Sequence, residues 1–285
     1  MRYLYQKQSI VTLAKAAASP FDHGFLYGNG LFETMEVWGG RPVDLAAHIE
    51  RLRHGAKVLG WPDLPLEDIR QSLRGAIAAN QVRFGYVRLT LSRGIGPTRP
   101  NDSICGPVQV WCFADTIKRT ADAEPWSLST VSIRRNETSP LSQIKSANYL
   151  ESILARKEAK AKGSDEALML NTFGLVAECS TANLFFVKGG NLLTPDRSSG
   201  ILPGVVRQRI LQLADCLGIH IEERNVWPEE LQEAEEVFLT SSLLRLQRVS
   251  HIDNIAVGAA EAPLTKRLST AYAEWLEKEG RDWIL

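Results

Sequence analysis

The sequence predicts an α+β fold with two domains, and three observations support that prediction. Strand-like stretches alternate with helical patterns along the first 113 residues. A polar, charged segment closed by a proline follows at 115–125, and this composition is typical of a linker. A second series of strands and helices then runs to the end of the chain. We therefore expect a first domain at 1–114 and a second, larger domain at 126–285.

In the first domain, β-rich runs predict three strands and helical spacing predicts two helices. The strands are predicted at 31–38, 86–92 and 107–113, and the first of them ends in the turn Gly39-Gly40. The helices are predicted at 45–59 and 66–80. In the first helix, apolar residues recur three or four positions apart on one face, namely Leu45, Ile49, Leu52, Ala56 and Leu59.

In the second domain, five short strands and three helices are predicted. The strands are expected at 127–134, 167–171, 175–178, 184–187 and 236–240, with turns in the sequences NTFG and KGGN. The helices are expected at 147–162, 204–217 and 264–279, and a glycine follows each of the first two. In the first helix, the residues expected to face the core are Ala147, Leu150, Ile153 and Leu154.

Composition and charge narrow the class of protein. Hydrophobic residues make up 44% of the chain, which excludes a disordered or fibrous protein. Lysine plus arginine equals aspartate plus glutamate at 33 each, so no net charge favours nucleic acid or an anionic membrane. The four cysteines form no CxxC pair, the five histidines form no metal-binding motif, and no signal peptide or membrane span is found. We therefore expect a soluble cytoplasmic protein with reduced thiols and no metal.

Three residues occur in an order that suits one cofactor. Lys145 is followed 33 positions later by Glu178 and 26 positions after that by Gly204. A lysine amine can form a Schiff base with an aldehyde, and a carboxylate can keep a pyridine nitrogen protonated. A glycine that opens a helix presents free N–H groups to a phosphate. Together these are the requirements of pyridoxal 5'-phosphate.

The blocks around these residues resemble the class IV, or fold type IV, pyridoxal-phosphate enzymes. The similar blocks are FDHGFLYGNGLFETMEVWGGRPVDLAAHIERL, YVRLTLSRG, IKSANYLESILARKEA, DEALMLNTFGLVAECSTANLFFVKGGNLLTP, ILPGVVR and EEVFLTSS. The family includes branched-chain aminotransferases, D-amino-acid aminotransferases, R-selective amine transaminases and aminodeoxychorismate lyases. The resemblance implies a small N-terminal α/β domain and a larger C-terminal domain with a β-barrel-like core, as in D-amino-acid aminotransferases. It also implies a homodimer in which a loop of one subunit reaches the other's pocket.

Lys145 and Glu178 are expected to carry the central chemistry. Partial desolvation next to the apolar Ile144 favours the neutral, nucleophilic form of the Lys145 amine. By resemblance, this amine also moves the proton between the substrate Cα and the cofactor's C4' carbon. Glu178 ends the apolar strand LVAE, so its carboxylate needs a cationic partner, and we expect the pyridinium nitrogen to be that partner.

The resemblance also implies which other residues hold the cofactor and the substrate. Tyr149 lies four residues after Lys145 and is expected on the same helical face, with its hydroxyl on the cofactor's phenolic oxygen. The remaining cofactor contacts, mostly at the phosphate, are expected from Arg51, Thr181, Val205, Val206, Ser241 and Ser242. The substrate contacts are expected from Tyr27, Phe32, Thr34, Tyr86, Arg88 and Arg99.

Two reactions fit this resemblance. The first is ping-pong transfer of an amino group to a 2-oxo acid from a branched-chain L- or D-amino acid or from an amine. The second is conversion of aminodeoxychorismate to 4-aminobenzoate and pyruvate, because the SRG and ECSTANLF blocks and Thr34 also resemble the lyases. A non-catalytic protein that binds pyridoxal phosphate is a third alternative. The loop 94–101 contains Arg99 but no histidine, so the carboxylate site of D-specific enzymes is not predicted.

Overall fold

The computed structural model of the chain describes residues 2–117 and 124–278. The described residues form two compact units. The first unit contains residues 2–117 and the short segment Ile144–Asn148, and the second contains residues 124–143 and Tyr149–Lys278. Lys145 therefore belongs to the first unit, although the boundaries predicted from the sequence assign it to the second domain.

No helix in the described part of the chain is both long enough and apolar enough to cross a lipid bilayer.

The first unit is an antiparallel sheet with three helices. Its elements are β1 (Tyr3–Gln6), β2 (Ser9–Thr12), α1 (His23–Tyr27), β3 (Gly30–Trp38), β4 (Arg41–Pro42), α2 (Leu45–Val58), α3 (Leu66–Ala79), β5 (Phe84–Ser92) and β6 (Gln109–Thr116). Within the described ranges the six strands are ordered β2-β1-β6-β5-β3-β4, and each neighbouring pair is antiparallel.

One face of this sheet packs against helices. Leu31, Met35 and Val37 alternate along β3 and pack with α2 and α3 in the core of the unit. The intervening side chains of Phe32, Thr34 and Glu36 must therefore lie on the opposite face of the sheet. The helices thus cover the face that carries Leu31, Met35 and Val37.

The second unit is built on a larger mixed sheet. Its strands are β7 (Trp126–Thr130), β8 (Glu166–Leu170), β9 (Val176–Cys179), β10 (Asn183–Lys188), β11 (Asn191–Pro195), β12 (Ile221–Arg224), β13 (Glu236–Ser241), β14 (Arg245–Ile252) and β15 (Ile255–Ala256). Its helices are α4 (Leu150–Ala161), α5 (Val205–Cys216) and α6 (Pro263–Lys278). In the described residues the strand order is β12-β11-β10-β13-β14-β7-β8-β9, with β15 beside β14.

This sheet curls into a half-barrel, because the edge strand β9 also contacts β10 and β11. Apolar side chains from its strands fill the concave side, and they include Leu128, Leu170, Leu184 and Leu239. On the opposite side, α5 and α6 pack against the sheet around Phe185 and Phe238, whose rings stack 5.1 Å apart. The predicted β-barrel-like core is thus a curled open sheet.

Several predicted elements are confirmed. The helices α2, α3, α5 and α6 lie within one residue of their predicted bounds over the described residues. The turns Gly39-Gly40 and Gly189-Gly190 each join two antiparallel strands with both glycines at positive φ, which suits two-residue hairpins. The strand predicted at 127–134 ends at Thr130, since the Ser132 backbone N–H turns to the Glu158 carboxylate. Most of the predicted linker, 118–123, lies outside the described residues.

The helix predicted at 147–162 differs in both start and orientation. It begins at Leu150, because Ser146 pairs with Leu31 of β3 instead of joining a helix. Its buried side chains are Ser152, Ala155 and Ala159, which are small enough to let α4 lie close to β8. The prediction that Leu150, Ile153 and Leu154 face the core is wrong, since these side chains are 66%, 48% and 45% exposed.

Candidate active site

In the first unit, backbone hydrogen bonds fix Lys145 beside the start of β3. The Phe32 N–H donates to the Lys145 carbonyl at 3.0 Å, and the Ala147 N–H donates to the Gly30 carbonyl at 2.8 Å. Lys145 therefore lies on an extended segment, and the prediction that it shares a helical face with Tyr149 is wrong. The Lys145 Nζ atom lies 4.5 Å from the centroid of the Phe32 ring, within the range of a cation–π contact.

The face of the first sheet opposite α2 and α3 collects most of the predicted substrate residues. Thr34 lies directly opposite Arg88 in the β3–β5 ladder, which places both side chains on the face that carries Phe32. The guanidinium carbon of Arg88 is 3.9 Å from the Phe32 centroid. Tyr86 lies two residues from Arg88 and shares the face. The ring of Phe32 thus contacts both an amine and a guanidinium.

Strand β6 extends this face with residues that carry no recognisable motif. Phe113 lies opposite Arg88, and Trp111 lies opposite Thr90. The Tyr86 and Phe113 rings are 6.4 Å apart in an edge-to-face arrangement. Glu36 lies on the same face, opposite Tyr86. Alternation along each strand indicates which side chains share a face. It identifies these residues only when the register of β3, β5 and β6 is also known.

Tyr27 and Arg99 are placed differently. The Tyr27 hydroxyl donates to the Thr98 carbonyl at 2.5 Å, which ties the end of α1 to the loop that carries Arg99. The neighbouring His23 ring contacts the Pro97 carbonyl at 2.8 Å through Nε2. Tyr27 and Arg99 are both exposed, so the structure joins them in one surface element of the first unit.

The predicted phosphate arginine, Arg51, belongs to a buried ionic cluster. Its Nε donates to Glu33 Oε1 at 2.8 Å, and its Nη2 donates to Glu33 Oε2 at 2.5 Å. His48 Nδ1 lies 2.6 Å from Glu33 Oε2. Burial opposes ionisation of the Glu33 carboxyl, but the charges of Arg51 and His48 outweigh it and lower the pKa to about 2. Glu33 therefore orients the Arg51 guanidinium. The signal in the sequence is an acid between the core residues Leu31 and Met35.

In the second unit, Glu178 is held by three donors. Arg135 Nη2 lies 2.9 Å from Glu178 Oε1 and forms an ion pair. The Asn183 Nδ2 group and the Leu202 backbone N–H donate to Glu178 Oε2 at 3.0 and 3.1 Å. The carboxylate thus has a cationic partner within the protein itself. A ring-nitrogen partner for Glu178 stays a prediction.

The N-terminus of α5 is suited to bind an anion. Gly204 is its N-cap, and no side chain caps the helix in the described structure, so the first N–H groups at Val205 and Val206 have no partner within the helix. A Cβ added at Gly204 would lie 1.9 Å from Asn183 Oδ1, so packing requires glycine here although its φ is ordinary.

Hydroxyl groups cluster at the end of the neighbouring strand β13. Ser241 and Ser242 lie at the turn into β14, and Ser241 Oγ accepts from the Leu244 N–H at 3.2 Å. Thr240 lies opposite Asn183 in the β10–β13 ladder, and its buried Oγ1 has no hydrogen-bond partner among the described atoms. A buried hydroxyl without a partner is unusual in folded proteins. Together with the uncapped helix it forms a donor set that fits a phosphate.

Thr181 binds a second buried acid, Glu166, and Tyr149 approaches the adjacent Ser180. The Thr181 hydroxyl donates to Glu166 Oε2 at 2.9 Å, and the Ser180 hydroxyl donates to Oε1 at 2.5 Å. The Tyr149 hydroxyl lies 3.5 Å from the Ser180 carbonyl. Burial, with the charges of Glu166 and Glu178, raises the pKa of the Cys179 thiol well above its usual value. Cys179 therefore stays a neutral thiol and not a nucleophile.

Among the residues that the structure describes, no group of three or more His, Cys, Asp or Glu side chains is placed to hold a metal ion.

Comparison with known proteins identifies relatives along the whole chain. The family model described as amino-transferase class IV matches residues 30–252. The chain is 33% identical over 281 residues to a Methanocaldococcus jannaschii protein named provisionally as a branched-chain-amino-acid aminotransferase, covering 97% of each. It is 31% identical over 295 residues to the aminodeoxychorismate lyase of Bacillus subtilis, covering 99% of this chain and 97% of the relative.

The structure resembles a T.th. branched-chain amino acid aminotransferase that was solved with pyridoxamine 5'-phosphate. The TM-score is 0.88 at 29% identity, and the match covers 96% of this chain and 93% of the other. The expected fold type IV architecture is confirmed.

Proposed function

Since this chain belongs to the class IV aminotransferase family and is an enzyme, we propose that it uses pyridoxal 5'-phosphate to move an amino group from an amino acid to a 2-oxo acid. One observation carries the proposal. The Lys145 amine and the Arg88 guanidinium both contact the Phe32 ring, on the face of the first sheet opposite α2 and α3. A nucleophilic amine beside a carboxylate-binding group is the combination that amino-acid chemistry needs.

The residues present fit pyridoxal phosphate. In the second unit, the N–H groups of Val205 and Val206 and the hydroxyls of Thr240, Ser241 and Ser242 would hold the phosphate. Glu178 would accept from the ring nitrogen. When bound, the cofactor supplies an aldehyde for covalent attachment of amines and an electron sink for the bond broken at the substrate Cα. The structural relative solved with pyridoxamine 5'-phosphate supports this assignment.

In the first unit, Lys145 acts as the nucleophile and then as the base that moves the proton at the substrate Cα. Its backbone is fixed to β3, so the side chain extends from a fixed point beside Phe32 in both roles. Arg88 binds the substrate carboxylate through its paired N–H groups. Trp111 and Phe113 on the same face suit an apolar side chain, which favours branched-chain amino acids over charged ones.

We also propose a homodimer that works in the cytoplasm. Leu150, Ile153 and Leu154 form an exposed apolar stripe along α4, and such stripes are typical of surfaces buried between subunits. The four cysteines are free thiols, which is typical of proteins in a reducing compartment.

Aminodeoxychorismate lyase is the second candidate function. It is supported by the 31% identity to the Bacillus subtilis lyase over nearly the full length of both chains. Thr34 supports it too, since its side chain lies opposite Arg88 on the proposed substrate face and offers a hydroxyl there.

Product analysis tests both candidates. The purified protein is loaded with pyridoxal phosphate and incubated with a ¹⁵N-labelled branched-chain amino acid and a different 2-oxo acid. A transaminase transfers the label to the new amino acid, and a Lys145→Ala variant does not. A parallel reaction with aminodeoxychorismate and no amino acceptor reports pyruvate, which only the lyase releases. If protein that binds the cofactor catalyses neither reaction, both proposed functions are contradicted.

A further inference from the structure

We propose that Asn183 is a positioning residue that sets the spacing between the Glu178 carboxylate and the phosphate-binding end of α5. This inference rests on the proposed function, because it concerns the two groups that would hold opposite ends of the cofactor. Asn183 lies within the ECSTANLF block, but the predicted site residues do not include it. The proposal follows from its contacts.

A single side chain touches both parts of the site. Asn183 Nδ2 donates to Glu178 Oε2 at 3.0 Å and to the Leu202 carbonyl at 3.0 Å. The Leu202 N–H returns to the same Glu178 oxygen at 3.1 Å. The three residues therefore form a closed set of hydrogen bonds that joins the carboxylate to the chain just before α5.

The other end of the carboxamide fixes the start of the helix. Asn183 Oδ1 lies so close to Gly204 that a Cβ at residue 204 would be 1.9 Å from it. Gly204 is the N-cap of α5, so this contact sets how near the helix N-terminus comes to strand β10. A side chain at 204 would push the helix and the carboxamide apart.

Asn183 is itself held rigidly. It is 5% exposed and begins β10, where it pairs with Thr240 of β13. Thr240 carries the buried hydroxyl without a partner, so the same strand pair also positions that group. A carboxamide fixed in a sheet, with its NH2 group hydrogen-bonded and its oxygen packed against Gly204, can act as a spacer that does not depend on a mobile loop.

A spacing role for Asn183 predicts an effect on cofactor affinity that a merely structural asparagine would not have. Pyridoxal phosphate is short and stiff, so its ring nitrogen and its phosphate can both bind fully only if their two anchors have the correct spacing. Joining two binding groups in one molecule raises affinity only when the geometry lets both engage. Loss of Asn183 should therefore weaken the binding of pyridoxal phosphate more than the binding of pyridoxal or of phosphate alone.

The test compares three probes on the apoprotein: pyridoxal phosphate, pyridoxal without phosphate, and inorganic phosphate. In Asn183→Ala, the Kd for pyridoxal phosphate should rise about 30-fold, while the Kd for each half changes by less than about 3-fold. Gly204→Ala keeps the Asn183 and Glu178 side chains but displaces the carboxamide, so it should give the same pattern. If the Asn183→Ala variant does not fold, the Gly204→Ala variant tests the same proposal.

The matched control is Asn171→Ala. Asn171 is also a buried asparagine of the second unit, and its Oδ1 accepts from the N–H groups of Phe173 and Leu175 in a turn. This variant should lose thermal stability and keep the ratio of the pyridoxal to the pyridoxal phosphate Kd.

Two results would overturn the inference. One is an equal loss of affinity for pyridoxal phosphate and pyridoxal in Asn183→Ala, which would make Asn183 only a support for Glu178. The other is no change in either Kd. If the wild-type protein binds no pyridoxal phosphate, the proposed function fails with it. If the wild type binds and the ratio is unchanged in the variant, only the spacing role fails.

Discussion

Replacing Arg135 with methionine should destabilise the apoprotein by about 3 kcal/mol, because it removes one partner of the buried Arg135–Glu178 ion pair. Arg135 Nη2 lies 2.9 Å from Glu178 Oε1, and the two side chains are only 15% and 9% exposed. Methionine retains much of the apolar volume of the arginine stem. The change therefore removes the charge and its hydrogen bonds with little loss of packing.

The magnitude follows from what remains around Glu178. Removing one partner of a buried ion pair costs roughly 3–5 kcal/mol. Glu178 keeps the donors Asn183 Nδ2 and Leu202 N–H on its other oxygen, which places the expected loss at the low end of that range. A loss of about 3 kcal/mol corresponds to a fall in Tm of roughly 6–12 °C. A Glu178→Gln change made together with Arg135→Met removes both charges, so the double variant should be more stable than the sum of the single losses implies.

Urea denaturation of the apoprotein measures these losses, with Arg134→Met as the control. Arg134 is the adjacent arginine, but it is exposed and makes a single long contact, 3.5 Å to the Val131 carbonyl. The control should change stability by less than about 0.5 kcal/mol. Bound pyridoxal phosphate should lessen the Arg135→Met loss, since its ring nitrogen offers Glu178 a second cation. Equal, small losses in both arginine variants would refute the role given to the ion pair.

Three further predictions concern charge, substrate and assembly. The Glu33 pKa is lowered from 4.5 to about 2, so its stabilisation of about 3 kcal/mol is complete above pH 4.5 and is lost as the pH falls toward 2. Urea midpoints measured across this range should fall steeply in the wild type and less in Glu33→Gln. Arg88→Gln should lower kcat/KM for amino acids roughly 10- to 150-fold, since a charged hydrogen bond contributes about 1.5–3 kcal/mol, and an unchanged value in steady-state assays would exclude Arg88 from carboxylate binding. Ile153→Glu places a charge in the exposed α4 stripe and should shift the protein from dimer to monomer in analytical ultracentrifugation, whereas Arg156→Glu, on an exposed position of the same helix, should not.

Local patterns predicted much of the fold. The helical spacing of Leu45, Ile49, Leu52 and Ala56 marks the buried face of α2, and all four side chains lie in the core of the first unit. The double glycines mark two hairpins for a physical reason, since a two-residue turn of this type needs positive φ at both central positions. Both signals depend only on residues close together in the chain, so they can be recognised in the sequence without knowledge of the fold.

The outward face of α4 shows that helical periodicity alone does not predict which surface an apolar stripe packs against. An apolar stripe at helical spacing indicates burial but does not say against what. Here Ala155 and Ala159 pack against the sheet, because small side chains permit close approach, and the larger Leu150 and Ile153 lie on the surface. Sequence alone did not distinguish a core from a surface that a second subunit would cover.

Contacts between residues far apart in the chain could not be predicted from the sequence either. Arg134 and Arg135 are adjacent and chemically identical, and the structure pairs Arg135 with Glu178 while Arg134 is exposed. The role of Asn183 likewise depends on the packing of Gly204 against it. Lys145, Glu178 and Gly204 could be predicted as site residues because their chemistry is specific, whereas the residues that position them have common side chains.

The most direct test of the central claim is a single-turnover absorbance experiment on the protein loaded with pyridoxal phosphate. Single amino acids of each hand are added without any 2-oxo acid, and the visible absorbance of the bound cofactor is followed. We expect branched-chain donors of one hand to bleach the yellow colour to that of the pyridoxamine form, and a 2-oxo acid to restore it. A loaded protein whose absorbance no amino acid changes would contradict amino transfer and leave the lyase as the better assignment.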